Sequence, residues 1–230
     1  MRYYPIFVNL VRKKCLVVGA GLVGKRKIAT LASCGADEVL VLDIDPQNAA
    51  CAEISDNPTV RFECRKFRHE DLDGRFIVIA CTSDEALNWE ISRECERRGI
   101  LCNIVDQPEK CSFIVPALYT QGDLTMAVST GGGSPALARK IRKGLHAFFG
   151  SEYGAFLTLM GRLRPLVLAL DMETEDNSDI FRSIVDSPLM DALKRKNALE
   201  AETILRGLVP ESLCAAIPEL VRGVLTDGAG

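Results

Sequence analysis

Apolar runs of four or five residues recur through the first half of the chain, each followed by a polar or helix-patterned stretch. Cys15–Val18, Val39–Leu42, Val60–Cys64, Phe76–Ala80 and Leu101–Val105 have the length and composition of strands buried on both faces. Between them, Leu22–Cys34, Gln47–Ile54 and Asp84–Arg98 carry helical spacing. Asp84 is placed to cap the last of these helices and Gly99 to stop it. Strands that alternate with helices predict a parallel sheet covered on both sides, with ligands bound at the carboxyl ends of the strands. Those ends are Gly19–Gly24, Asp43, Cys81-Thr82-Ser83 and Asp106. Four segments distant in sequence are therefore expected to converge on one edge.

The pattern changes after residue 112. Phe113–Ala117 and Leu124–Ser129 read as an antiparallel pair joined through Tyr119–Asp123. Ser129-Thr-Gly-Gly-Gly-Ser-Pro135 then leads into a helix over Pro135–Phe149, with Ser134 as N-cap and Pro135 as first helical residue. Three glycines before a helix suit an anion, and they equally suit a hinge. From Ser151 onward the spacing is helical only: Glu152–Leu170, which Pro165 should kink or split, then Ile180–Val185, Pro188–Leu208 and Glu211–Leu225. The acidic stretch Asp171–Asp179 is expected to be an exposed loop, and Leu189, Leu193, Leu199 and Leu205 a buried stripe. The expected division is 1–112, 113–150 and 151–230.

The chemistry begins at the first strand. Gly19, Gly21 and Gly24 form a G-x-G-x-x-G turn between a strand and a helix, and Asp43 closes the second strand nineteen positions later. Gly19 allows the tight turn, Gly21 lets the backbone approach a pyrophosphate, and Gly24 lets the helix lie close on its strand. The helix N-terminus offers free N–H groups to phosphates. A carboxylate at Asp43 accepts hydrogen bonds from a ribose diol and repels a 2′-phosphate, favouring NAD over NADP. The fold class read from these features is α/β, a Rossmann-type parallel sheet followed by a small antiparallel segment and an all-helical C-terminal domain. The bland alternative is a glycine-rich turn with no ligand. Asp106 sits just past the fifth strand, before Gln107-Pro108. It reads either as a base beside the cofactor or as the cap of a turn.

Composition narrows the partners. Net charge is −3, yet residues 1–36 hold seven basic side chains and no acidic one, and 113–150 hold four basic and one acidic. If those regions meet, they make a positive cleft for a small polyanion. The acidic total and 6% aromatic content speak against nucleic acid. No apolar run is long enough to span a bilayer, and no signal peptide is evident, so a cytoplasmic location is expected. The nine cysteines include no C-x-x-C pair and are expected to be mostly buried reduced thiols. With only His69 and His146 in the chain, no metal site is expected.

Four stretches resemble the precorrin-2 dehydrogenase / sirohydrochlorin ferrochelatase family, which includes the N-terminal region of siroheme synthase. They are Pro5-Ile-Phe7, the loop Cys15–Lys27 with its basic tail, Cys102-Asn-Ile-Val-Asp-Gln-Pro108 with Ser112-Phe-Ile-Val-Pro116, and Val128–Arg139. The resemblance covers 5–139. Its alanine at the position of Gly24 is read as a harmless difference. It implies NAD-dependent oxidation of precorrin-2, a tetrapyrrole, with Asp106 as the essential acid. It implies cofactor contacts at the glycine loop, Leu22, Val23, Asp43 and Ile44, with Thr82 beside them, and substrate contacts at Ser129 and Arg139. It also implies a homodimer formed through the antiparallel segment and its helix. Some members insert Fe2+ or Co2+ into sirohydrochlorin, and others pass it to a separate chelatase. The alternative from another class is a regulatory module that senses NAD without catalysis.

Overall fold

A computed structural model of the protein describes residues 3–50, 56–105 and 107–226, and the chain separates into two compact units, Met1–Val115 and Pro116–Gly230. The first unit holds strands β1 (Lys14–Val18), β2 (Glu38–Asp43), β3 (Val60–Cys64), β4 (Arg75–Ala80) and β5 (Leu101–Ile104), with helices α1 (Leu22–Ser33) and α2 (Glu85–Arg98). The five strands form one parallel sheet in the order β3-β2-β1-β4-β5. The order reverses direction at β1, which places a topological switch point between β1 and β4.

The two faces of this sheet are two separate cores. Cys15, Val17, Val39, Val41, Ile77 and Ile79 pack with Ile28 and Leu31 of α1. Leu16, Val18, Leu40, Leu42, Val78 and Ala80 pack with Ile91 and Cys95 of α2. Successive residues of a strand point to opposite faces, so strands covered on both sides must be apolar at every position. The apolar runs within β1, β2 and β4 have this cause, whereas β3, expected to be buried on both faces, lies at the sheet border, carries Arg61 and Glu63 and has no fully buried residue. Helix α2 begins where Asp84 accepts a hydrogen bond from Leu87 N at 3.1 Å and ends at Gly99 in the left-handed conformation, φ 69°. The expected helix over Gln47–Ile54 is a short 3-10 segment, Pro46–Ala50, and its remainder lies outside the described residues.

In the second unit β6 (Ala117–Gln121) and β7 (Leu124–Val128) form an antiparallel pair, followed by α3 (Pro135–Phe148), α4 (Ser151–Leu168), α5 (Thr174–Asp186), α6 (Leu189–Lys194), α7 (Ala198–Arg206) and α8 (Ile217–Thr226). The first of these strands lies four residues later than its expected start. The hairpin turn is only Gly122-Asp123, with Gly122 at φ 56°, so Tyr119, Thr120 and Gln121 belong to the strand. Tyr119 is buried and donates its hydroxyl hydrogen to the Phe149 carbonyl. Its aromatic ring fixes the register of a strand that looked like a loop by composition. A Cβ on Gly122 would lie 3.2 Å from Gly154 Cα, so the hairpin turn seats closely on the first turn of α4.

Five further expectations are corrected in the helical part. Pro165 does not split α4, because it stands in the last turn and the carbonyl it leaves unpaired belongs to exposed Gly161, where water can serve. The acidic stretch is not a loop throughout, since α5 starts at Thr174 with Glu175 and Asp176 in its first turn, where carboxylates suit the helix dipole. Pro188–Leu208 is two helices: Lys196 takes φ 54°, and Asn197 caps α7 by accepting from Glu200 N at 3.2 Å. Glu211–Leu225 is likewise divided into a 3-10 turn, Glu211–Leu213, and α8. The break at Lys196 rotates the register, so Leu189, Leu193 and Leu205 are buried while Leu199 is 77% exposed.

This register makes a direct test. Leu205→Ala should cost about 2–5 kcal/mol, the usual loss for a buried leucine. Leu199→Ala should stay within about 0.5 kcal/mol. Urea denaturation of the two variants measures both.

Candidate functional site

Register alone builds the carboxyl edge of the sheet. Val18 pairs with Leu42 on one side and Ala80 on the other, and Ala80 pairs with Ile104. The ladder continues one residue further through Gly19 N to Leu42 O, Cys81 N to Val18 O and Val105 N to Ala80 O, at 2.8, 2.9 and 3.1 Å. Asp43, Gly19, Cys81 and Val105 therefore stand in one row. Asp106 lies outside the described residues, and the row reaches the residue before it.

The glycine loop occupies the switch point. Gly19 has φ 97°, and a Cβ on it would lie 2.7 Å from Cys81 O and 2.9 Å from Thr82 N. Only glycine serves there, for conformation and for space. Gly21 faces open space, with no atom within 4 Å of the position its Cβ would take. Gly21 also stands at the α1 N-cap and provides no side-chain cap, so the first-turn N–H groups are left to a ligand. A Cβ on Gly24 would run into the Gly19 carbonyl and stand 3.2 Å from Cys81 Sγ. Alanine at this position is therefore not equivalent to glycine in this chain, contrary to the expectation from the family pattern. Leu22 and Ile44 are exposed at the rim, and Val23 is half-buried beneath it.

Asp43 closes β2 and ties itself to the loop. Its Oδ2 accepts from Ala20 N at 2.5 Å and Asn48 Nδ2 at 3.2 Å, and its Oδ1 accepts from Asp45 N at 2.9 Å. A carboxylate has about four lone-pair sites, so capacity remains for a hydroxyl. Thr82 is fixed by buried Asn88: the Thr82 hydroxyl donates to Asn88 Oδ1 at 2.8 Å, and Asn88 Nδ2 donates to Thr82 O at 3.0 Å. The Cys81 thiol donates to Gly19 O at 2.9 Å. Burial pushes that thiol up to about 12, against the pull of Lys27 and with the help of Asp43, so it keeps the proton it donates. Lys27, on α1, is half-buried, and burial lowers its ammonium below the ordinary lysine value.

Residues 103–113 close the other end of the row. The Cys111 thiol meets both the N–H and the carbonyl of Ile104, at 3.1 and 3.2 Å, and the carbonyl of Gln107 at 3.2 Å. Buried Asn103 donates to Phe113 O at 3.1 Å. Gln107 Oε1 is buried without a donor, an open acceptor one residue from Asp106. This orphaned acceptor, the uncapped helix start and the space at Gly21 fit a bound dinucleotide.

Ser129 and Arg139 belong to the second unit. The glycine stretch between them is a folded turn, not a slack hinge: Ser129 Oγ accepts from Gly131 N and Thr130 Oγ1 from Ser134 N, both at 3.1 Å, and Ser134 Oγ caps α3 at Leu137 N. Gly131 and Gly132 carry φ 62° and 91°. Arg139 is exposed and lines a shallow hollow of about 270 Å³ with Ala136, Lys140 and Lys143, an anion-friendly surface.

Asn88 and Cys111 are residues near the site that the sequence pattern does not mark, and Cys81 is marked there only as part of a strand end. Asn88 had a usable signal, a polar residue in register with Ile91 and Cys95 on the buried face of a helix. The cysteines had none, since a hydrogen-bonding thiol looks like a small apolar residue. Of the described cysteines only Cys15, Cys95 and Cys102 are buried, so the expectation of mostly buried thiols is corrected. Among the described residues no three His, Cys, Asp or Glu side chains gather as a metal site, and no helix is long and apolar enough to cross a membrane.

A family model for NAD(P)-binding domains matches residues 6–117, and a model for the central region of sirohaem biosynthesis proteins matches 121–146. The chain is 35% identical over 210 residues to siroheme synthase of Pseudomonas entomophila, covering 91% of this chain and 45% of that relative. It is 33% identical over 231 residues to siroheme synthase of Azotobacter vinelandii, covering 100% of this chain and 48% of that relative. The chain thus spans less than half the length of these curated relatives. Among solved structures, SirC, a precorrin-2 dehydrogenase, has the same fold, with a TM-score of 0.74 at 23% identity over 90% of this chain and 98% of that one. The chain belongs by sequence to the siroheme synthase family and shares its fold with SirC.

Proposed function

We propose that the chain oxidises precorrin-2 to sirohydrochlorin with NAD+ in siroheme biosynthesis, as a cytoplasmic homodimer. The observation that carries this reading is the common row at the sheet edge, with Gly19 and Asp43 at one end and Val105, the residue before Asp106, at the other. Removing two hydrogens from the substrate releases one hydride equivalent and one proton. When bound, NAD+ supplies the hydride acceptor. Gly21 and the start of α1 receive the pyrophosphate, with Leu22 and Val23 beside it, and Ile44 and Thr82 flank the cofactor. Asp43 takes the ribose diol and disfavours a 2′-phosphate. Asp106 takes the proton or holds the substrate for its loss. Ser129 and Arg139 bind the carboxylate-rimmed substrate, for which the guanidinium is a two-pronged partner. Residues 1–112 are the cofactor domain, 113–150 the dimerisation segment and 151–230 a helical domain.

Anaerobic mixing of the protein with precorrin-2 and NAD+ should produce NADH, and its absence would leave an NAD-sensing module as the better account. Asp106→Ala should fold and bind NAD+ yet lose about 10²-fold or more in kcat; wild-type turnover would remove Asp106 from the chemistry. Gly24→Ala should destabilise the protein by about 1–3 kcal/mol through forced displacement of the Gly19 carbonyl. It should also weaken NAD+ binding, seen by calorimetry. Metal insertion is a separate question: a spectral change of sirohydrochlorin with Fe2+ or Co2+ would show that this chain is also a chelatase, and an unchanged spectrum would assign that step to a separate enzyme.

A further inference from the structure

Helix α1 carries a charge on its buried face. Gly24, Lys27, Ile28 and Leu31 follow the spacing of a single helical stripe, and Gly24, Ile28 and Leu31 are the buried residues of the helix. Lys27 is half-buried among them. Helical side chains lean toward the N-terminus and cover the turn before their own Cα. The turn before Lys27 is at Gly24, which has no side chain to obstruct the lysine stem. The stem therefore runs toward the carboxyl edge of the sheet, where Cys81 Sγ lies 3.2 Å from the Cβ position of Gly24. The ionisable groups that act on Lys27 are found in that direction, the thiols of Cys81 and Cys111, together with its neighbour Arg26. Among the described residues no carboxylate forms an ion pair with Lys27.

The edge has two sides. Asp43 closes β2 on one side of β1, and Cys81 follows β4 on the other. A dinucleotide with its pyrophosphate at the start of α1 and its adenosine ribose at Asp43 extends its other half across the ends of β4 and β5. That is the side to which Lys27 reaches. Gln107 Oε1 is there too, a buried acceptor with no donor, and the Gln107 carbonyl takes the Cys111 thiol at 3.2 Å. A carboxamide NH2 is a donor of the kind this oxygen lacks.

We propose that Lys27 tunes the cofactor: its ammonium lies on the nicotinamide side of the edge and favours the neutral, reduced ring over the cationic, oxidised one. The proposal rests on the NAD reading of the site. The oxidised ring carries a positive charge, and the hydride it accepts from the substrate, one proton with two electrons, cancels that charge. A fixed cation nearby repels the oxidised ring alone, so it adds to the drive for hydride acceptance. Burial lowers the ammonium below the ordinary lysine value, and the same burial shields its field from solvent screening.

Two dissociation constants test this without the tetrapyrrole. Titration of NADH by fluorescence and of NAD+ by calorimetry gives the ratio of the two affinities, and by linkage that ratio moves with the hydride equilibrium of the bound cofactor. Lys27→Met keeps the stem and removes the charge. It should shift the ratio toward NAD+ by about tenfold, the effect of one unit charge a few ångströms away in a partly solvated site. Lys27→Arg should hold the ratio within about threefold, since the charge stays. Arg26→Met removes an exposed charge from the same turn and should move the ratio by less than about twofold, because solvent screens it. Lys27→Met should lose no Tm, since it removes a half-buried charge that has no ion-pair partner. If that variant fails to fold, Lys27→Gln gives the same ratio. An unchanged ratio on loss of the charge overturns the proposal. So does an equal weakening of both forms, which marks a contact with the pyrophosphate or a structural role. Wild-type protein that binds neither form overturns the NAD reading itself, whereas binding of both forms at one ratio in every variant overturns the role of Lys27 alone.

Discussion

The contact on which the first unit depends is the one between Gly24 and the carbonyl of Gly19. No side chain fits between them, so α1 lies directly on the end of β1. That approach brings the uncapped start of the helix to the switch point of the sheet. The same carbonyl accepts the Cys81 thiol, which joins the loop to the end of β4, while Ala20 N joins it to Asp43 at the end of β2. Three strands are thus referenced to one backbone oxygen and its neighbour. A well-packed site of this kind does not deform gradually, because overpacking displaces backbone and not merely a rotamer.

The sheet was legible because its physics is local. Runs apolar at every position, as in β1, leave little doubt about burial on both faces, and β3 matches its expected limits at both ends although its charged residues leave it half-exposed. Glycine spacing and Asp43 marked the cofactor end of the edge because those residue types have few other uses there. What escaped depends on tertiary context. Tyr119 turned a loop-like stretch into a strand through its burial and its bond to Phe149. Lys196 ended a helix in the left-handed conformation with no glycine or proline as warning, and Leu199 lost its place in the core as a result. At the candidate site, Cys111 and Asn88 act through hydrogen bonds to backbone, for which side-chain type alone is no guide.

Asn88 illustrates how the edge is held by side-chain hydrogen bonds. A buried amide is costly unless paired, and both its polar atoms are paired to Thr82. The turn after β4 therefore has one satisfied arrangement and few others. An arrangement of this kind suits a site for a flexible dinucleotide, since ordering done beforehand need not be done on binding.

The two borders of the sheet also bear on how this chain meets other chains. At β3, the side chains of Arg61 and Glu63 pair with each other at 3.3 Å, and Arg61 reaches Glu38 on the neighbouring strand, so the border is charged. At β5, Cys111 and Ser112 occupy backbone groups that an incoming strand would otherwise find open. Exposed strand borders are where foreign strands add and where fibrous association begins. One border is guarded by solvated charge and the other by saturation of its hydrogen bonds. Cys111 and Ser112 thus close that border to an incoming strand by saturating its backbone groups.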